Sequence, residues 1–261
     1  MNTVPIQSYS SGKRGRGGLS FARGFRRGRG GISGSELKLL AVILMTLDHI
    51  GLTLVEQGAL GGGLQTAPAV WWYVDLLLQG LGRLAFPIFA FFVAEGAFYT
   101  RHKKEYGLRL LIFALISEIP FDLAIFGQPV YLGCQNVMFT FLLAYISILG
   151  IQKNARRPVL KVLCGVAGCA AGAVFQTDYG AVGVLMVILL YLLKGSSFRT
   201  LAGVIVAGLD SIGWFGLAAL AFVPLHFYHE ERGRFPGKYF FYCYYPAHLL
   251  VLFLLLRIIF R

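Results

Sequence analysis

"LKLLAVILMTLDHIG", residues 37–51, sets an Asp and a His side by side inside a long apolar run. With the residues beyond it, the run approaches the roughly 20 that a helix needs to cross about 30 Å of hydrocarbon. A charged group at the centre of such a helix costs about 2.5–3.5 kcal/mol. Asp48 and His49 therefore belong against other protein groups or a wet cavity, and the rest of the chain has to supply one.

The remaining composition fits that setting. Of 261 residues, 57% are hydrophobic and 14% are charged, and the mean hydropathy is +0.68. A water-soluble domain carries about 25% charged residues, so this chain is too apolar to be one. Outer-membrane barrel strands alternate apolar and polar over about 10 residues, and no such alternation is present. The reading is an all-α, polytopic bundle of membrane helices. The four cysteines (Cys134, Cys164, Cys169, Cys243) show no paired spacing, so neither a structural disulfide nor a metal site is expected.

The net charge is +12, and seven basic residues precede the first acid, Glu36. Residues 1–35 are rich in Gly and Arg without periodicity, which predicts a disordered tail. Its charges suit the inner face of an anionic membrane better than a nucleic acid, and no nucleic-acid partner is expected. Residues 36–261 form the membrane domain. Apolar runs predict helices near 37–55, 78–100, 106–126, 136–151, 159–175, 180–194, 199–211, 214–228 and 239–260, about nine spans. Lys and Arg sort the connections. The tail, 101–104, 153–158, 194–199 and 231–238 are basic, whereas 56–70, 127–135, 176–179 and 210–213 contain no Lys or Arg. Positive loops stay cytoplasmic, which places the N-terminus inside.

At 1.5 Å rise per residue, Asp48 lies about 16 Å into its span, Glu118 about 18 Å and His248 about 15 Å. Three helices thus bring a titratable side chain to one level. Arg83 sits toward the outer end of the second span, where Asp75, Asp48 or Glu118 would pair with it. Asp122 is one turn beyond Glu118. Asn136 opens the fourth span, and Asp178 stands in the outer turn "TDYG" (177–180) as a helix cap or a site group. Pro87, Pro120 and Pro246 interrupt three spans and free backbone carbonyls that need a partner or a cavity. Arg101, Lys103, Lys104 and Lys238 flank the cytoplasmic ends of two spans, where they attract lipid headgroups or a polyanionic cosubstrate.

The blocks "LGRLAFPIFAFFVAEGAFYTR", "LRLLIFALISEIPFDLAIF", "NVMFTFLL", "TDYGAVGVLMV" and "KYFFYCYYPAHLLVLFLL", together with the opening stretch, resemble in order the TraX family. The resemblance covers residues 37–258 and omits the Arg–Gly tail. It implies a multi-pass protein of the bacterial inner membrane that moves acetyl from cytoplasmic acetyl-CoA to an acceptor amine or hydroxyl, such as the N-terminus of a pilin subunit. It marks His49, Asp48, Arg83, Glu118 and Asp178 as catalytic candidates. Arg101, Lys103, Lys104, Lys238 and His248 become candidates for acetyl-CoA, and Asp122, Asn136 and Glu95 for the acceptor.

On that footing His49 is the expected base, since a neutral imidazole accepts the proton of an attacking amine near neutral pH. Asp48 points about 100° away from it on a helix, so Glu118 or Asp178 is an equal candidate to orient the ring. Arg83 or Asn136 would donate to the oxyanion. A route through an acetyl-histidine stays open. The competing reading is a proton-coupled transporter, which also needs intramembrane His, Asp and Glu.

Overall fold

A computed structural model describes residues 31–61, 68–229, 231, 233 and 239–260. Most of the Arg–Gly tail, and Lys238, lie outside these residues. Among those described there is no strand, only isolated backbone bridges such as Gln135 with Thr177.

The first helix, α1 (Gly34–Ile50), begins where Gly-rich sequence gives way to Ser33 and Glu36. The Glu36 amide donates to Ser33 Oγ at 3.4 Å and the Ser33 amide to the Glu36 carboxylate at 2.7 Å. This reciprocal cap satisfies two amides that the first turn leaves open. The helix does not end near residue 55, as expected, but runs on as a π-helical stretch, Gly51–Ala59. Such segments are rare and collect at functional sites. Here it starts two residues after His49.

The second predicted span is longer and divided. It consists of α2 (Ala69–Gly82) and α3 (Ala85–Tyr99), with Arg83 and Leu84 between them. Pro87 explains the position of the break, because it has no amide to donate to the Arg83 carbonyl one turn back. The extra length at the front is not evident in the sequence because Asp75 interrupts an apolar run; it accepts from Gln79 Nε2 at 2.9 Å.

The remaining helices are α4 (Lys103–Phe126), α5 (Val137–Lys153), α6 (Pro158–Val174), α7 (Gly180–Leu192), α8 (Phe198–Asp210), α9 (Phe222–His226) and α10 (Phe240–Ile259). Pro120 and Pro246 lie inside α4 and α10, and neither ends its helix, so the expected interruptions there reduce to one missing hydrogen bond each. Between α8 and α9 the chain turns through left-handed Phe215 and Gly216 into a short 3-10 helix, Leu217–Ala221. Small residues let α5, α6 and α7 approach closely. A Cβ on Gly172 would stand 2.7 Å from the Gly180 carbonyl oxygen.

Among the described residues, three helical segments, Gly34–Ala59, Ala69–Tyr99 and Phe240–Ile259, are long and apolar enough to cross a membrane, and several shorter apolar helices accompany them. Apolar side chains also cover the outside, as on α4 at Leu108, Leu115 and Ile119, which suits lipid and not water.

Contacts sort the connections into two ends. At one end Gly34 donates to the Glu231 carbonyl at 2.8 Å, Lys103 reaches Gln152, and Lys194 meets Glu95. At the other, Gln57 donates to the carbonyls of Ala124 and Ile125 at 2.9 and 3.0 Å. There too the Gln135 amide meets the Gln176 carbonyl at 3.1 Å. The first end holds the basic connections and the second those without Lys or Arg.

Candidate functional site

Among the described residues, two cavities share a wall inside the bundle. The smaller, about 240 Å³, is walled by Asp48, His49, Arg83, Cys134, Asp178 and Tyr179, among others. It lies toward the end without basic loops. The larger, about 780 Å³, is walled by Lys38, Glu95, Tyr99, Tyr106, Arg109 and Tyr242, among others, and lies toward the basic end. Met45, Phe89, Val137, Phe141 and Tyr245 line both. They come from α1, α3, α5 and α10, so the junction is built by helices far apart in sequence.

His49 is buried beside this junction. Its Nδ1 lies 2.7 Å from His248 Nε2 on α10, and His248 Nδ1 lies 2.9 Å from the Tyr244 carbonyl oxygen. A carbonyl only accepts, so His248 Nδ1 donates to it. With both rings uncharged, His248 Nε2 then accepts from His49 Nδ1–H. That order fixes the His49 tautomer and leaves a lone pair on Nε2, because the partner of one ring nitrogen decides which nitrogen carries the proton. Thr53 Oγ1 donates to the His49 carbonyl at 2.5 Å, securing the backbone where α1 turns π-helical.

Asp48, the neighbour on α1, does not orient His49. Its Oδ1 lies 3.8 Å from Arg83 Nη2, at the break between α2 and α3. Gly82 makes room for it: a Cβ there would fall 2.2 Å from Asp48 Cβ. Of the pairings open to Arg83, the structure selects Asp48. Arg83 Cζ also sits 5.3 Å from the ring centre of Trp214, and Asp178 and Asp210 add electrostatic attraction. Three carboxylates thus surround one guanidinium, with Asp48, Asp178 and Arg83 on the small cavity's wall. No cluster of His, Cys, Asp or Glu suited to a metal ion occurs among the described residues.

Other residues singled out from the sequence lie elsewhere. Glu118 accepts from both the side-chain amide and the backbone amide of Asn136, the latter at 3.2 Å. Asn136 also caps α5 through Met138 N–H at 3.0 Å and donates to the Ala114 carbonyl at 2.8 Å. The pair ties α4 to the start of α5 and lines neither cavity. Asp122 accepts from the Tyr131 amide at 2.8 Å, holding the turn after α4. Glu95 reaches the large cavity's edge but is gripped by Lys194 at 2.5 Å and Arg199 at 2.8 Å. Arg101, Lys103 and Lys104 are exposed at the start of α4 and line neither cavity. His248 sits behind His49, away from the cations of the large cavity.

Lys38, Arg109, Asp210 and Tyr245 are not set apart by any signal in the sequence. Lys38 and Arg109 stand one turn or more inside α1 and α4, and helical phase alone did not separate a cavity face from a lipid face. Tyr245 is one of many aromatics in "YFFYCYYP" (239–246).

The model of the TraX protein family matches residues 33–256. A probable fimbrial assembly protein FimC, serogroup H1, of Dichelobacter nodosus is 29% identical over 245 residues, covering 84% of this chain and 94% of that relative. No solved structure matches. The matched region takes in α1 and most of α10, and so both histidines and both cavities; on this match the chain belongs to the TraX protein family.

Proposed function

We propose that the chain is a membrane-embedded acetyltransferase that takes acetyl from acetyl-CoA at the cytoplasmic face and delivers it to an amine, with a peptide N-terminus such as that of a pilin as the acceptor class. The observation that carries this reading is the shared wall of two unlike cavities beside an imidazole with a free lone pair. With about nine spans in a bacterial inner membrane and the Arg-rich N-terminus in the cytoplasm, the large cavity at the basic end opens to the cytoplasmic side; the basic connections at that end support this orientation. The fimbrial name of the relative favours a pilin-related acceptor.

The large cavity fits the cosubstrate in size, since small-molecule sites run to about 300–1,000 Å³. Lys38 and Arg109 supply positive charge near its rim for phosphates, and Tyr99, Tyr106, Phe92 and Phe241 supply aromatic faces. These residues replace the exposed Arg101, Lys103 and Lys104 as the favoured contacts. Acetyl-CoA supplies an activated acyl carbon.

The chain's own groups do the rest. Asp178 and Asp48 attract an ammonium into the small cavity, where one of the two carboxylates takes the proton that frees its lone pair, and Arg83 offsets their negative charge. His49 Nε2 takes the amine proton as nitrogen attacks, which is worth typically 10²–10⁴ in rate, and passes it to the departing thiolate. His248 holds the ring in the tautomer that allows this. The apolar junction excludes bulk water, which protects the thioester from hydrolysis.

Mass spectrometry of membrane fractions supplied with labelled acetyl-CoA tests the proposal. A labelled amide that forms only when the protein is present supports it. Solute flux without any acetylated product would support transport instead.

A further inference from the structure

We infer that Tyr245 donates the hydrogen bond that stabilises the carbonyl oxygen of the acetyl group in transit. The inference rests on the acetyltransferase reading and adds a residue to it.

Five residues line both cavities, and a group passing from one cavity to the other must cross between them. Four of the five (Met45, Phe89, Val137 and Phe141) offer no side-chain donor. Tyr245 alone has one. Its side chain is buried, with the residue 4% exposed. The Val137 backbone N–H lies against the hydroxyl oxygen, and the O–H itself finds no acceptor among the described residues. Buried polar groups are nearly always paired, so an O–H on a cavity wall with no acceptor points to a partner that comes and goes.

The setting matches the role. The Tyr245 ring centre is 6.2 Å from that of His49 and 5.7 Å from that of His248. The base and the donor therefore flank one junction, and α10 carries both Tyr245 and the histidine that holds His49. The donors favoured from sequence are placed differently. The Asn136 amide is spent on Glu118 and the Ala114 carbonyl. Arg83 lines only the small cavity, among carboxylates.

In the step itself the acceptor nitrogen bonds to the acetyl carbon and the carbonyl electron pair moves onto oxygen. The pair returns as the carbon–sulfur bond breaks. The amine proton passes to His49 Nε2 and then to the leaving sulfur. Tyr245 keeps its own proton throughout and shares it with the oxygen, most strongly when that oxygen is negative. A donor used in this way raises kcat and leaves ground-state binding nearly unchanged.

The test is Tyr245→Phe, which removes one oxygen and preserves the ring. Purified wild type and variant are reconstituted in liposomes, and initial rates are measured against acetyl-CoA concentration. Acetyl-CoA binding is measured separately by equilibrium dialysis. The expected result is a fall in kcat of about 10²–10³-fold, the usual loss for one oxyanion donor, with KM, binding and thermal unfolding close to wild type. A variant that turns over at the wild-type rate overturns the inference and spares the acetyltransferase reading. A loss traced wholly to weaker acetyl-CoA binding also overturns it. A wild type that transfers no acetyl removes both together.

Discussion

Removing the carboxylate of Glu95 would strand two cations inside the bundle. Lys194 Nζ lies 2.6 and 2.5 Å from its two oxygens, and Arg199 Nη2 lies 2.8 Å away. The three side chains are only 9%, 13% and 14% exposed. Arg199 is further held by the Leu190 carbonyl at 2.7 Å and lies over the Phe91 ring. Lys194 lies over Phe98 and Tyr99. Neither cation is free to swing into water without giving up these contacts. Stripping one partner from a buried ion pair costs about 3–5 kcal/mol. Glu95 touches the large cavity, and some water reaches the pair, which sets the expectation at the lower end, about 3 kcal/mol. That is roughly a 150-fold loss in the folded-to-unfolded ratio. The assay is thermal unfolding of Glu95→Gln in detergent micelles, with Lys194→Met added in a second variant. Glu95→Gln should lower the midpoint clearly, and the second change should restore part of it, because one stranded charge is gone. An unchanged midpoint for Glu95→Gln accompanied by lost acetyl transfer would refute the reasoning and make Glu95 an acceptor contact.

Two further substitutions probe the centre. Gly82→Ala places a methyl 2.3 Å from Asp48 Oδ1, which should cost about 1–3 kcal/mol by overpacking and displace Asp48 from Arg83. A variant with wild-type melting and rate would show that this close approach is not needed. His248→Ala should lower kcat by about 10–100-fold, the usual cost of losing the partner that orients an imidazole. His248→Gln, whose side-chain oxygen accepts from His49 Nδ1, should recover part of that loss. Equal rates in the alanine and glutamine variants would argue against the tautomer lock.

The helical class and the sorting of basic connections were legible because both follow from hydrophobicity and charge along the chain. Asp48 and His49 were legible because charge in an apolar run is costly. Their partners were not. His49 pairs with a residue 199 positions away, and nothing local distinguishes His248 as an orienting group from His248 as a ligand contact. Glu118 looked catalytic because its depth matches that of Asp48. Its carboxylate instead pairs with Asn136, whose capping role fixes where α5 begins. Lys38 and Arg109 were hidden because they interrupt apolar runs near helix ends, where Lys and Arg commonly snorkel to headgroups. The π-helical stretch after His49 had no signal in composition or periodicity. It packs closely on α2, where a Cβ on Gly51 would stand 3.0 Å from Gln79 Cγ.

The most direct test of the central claim is the initial rate of acetyl transfer from labelled acetyl-CoA to an amine by purified wild type and by His49→Ala in liposomes. The account predicts that wild type forms the labelled amide and that His49→Ala forms almost none while still binding acetyl-CoA. Transfer by His49→Ala at the wild-type rate would contradict it.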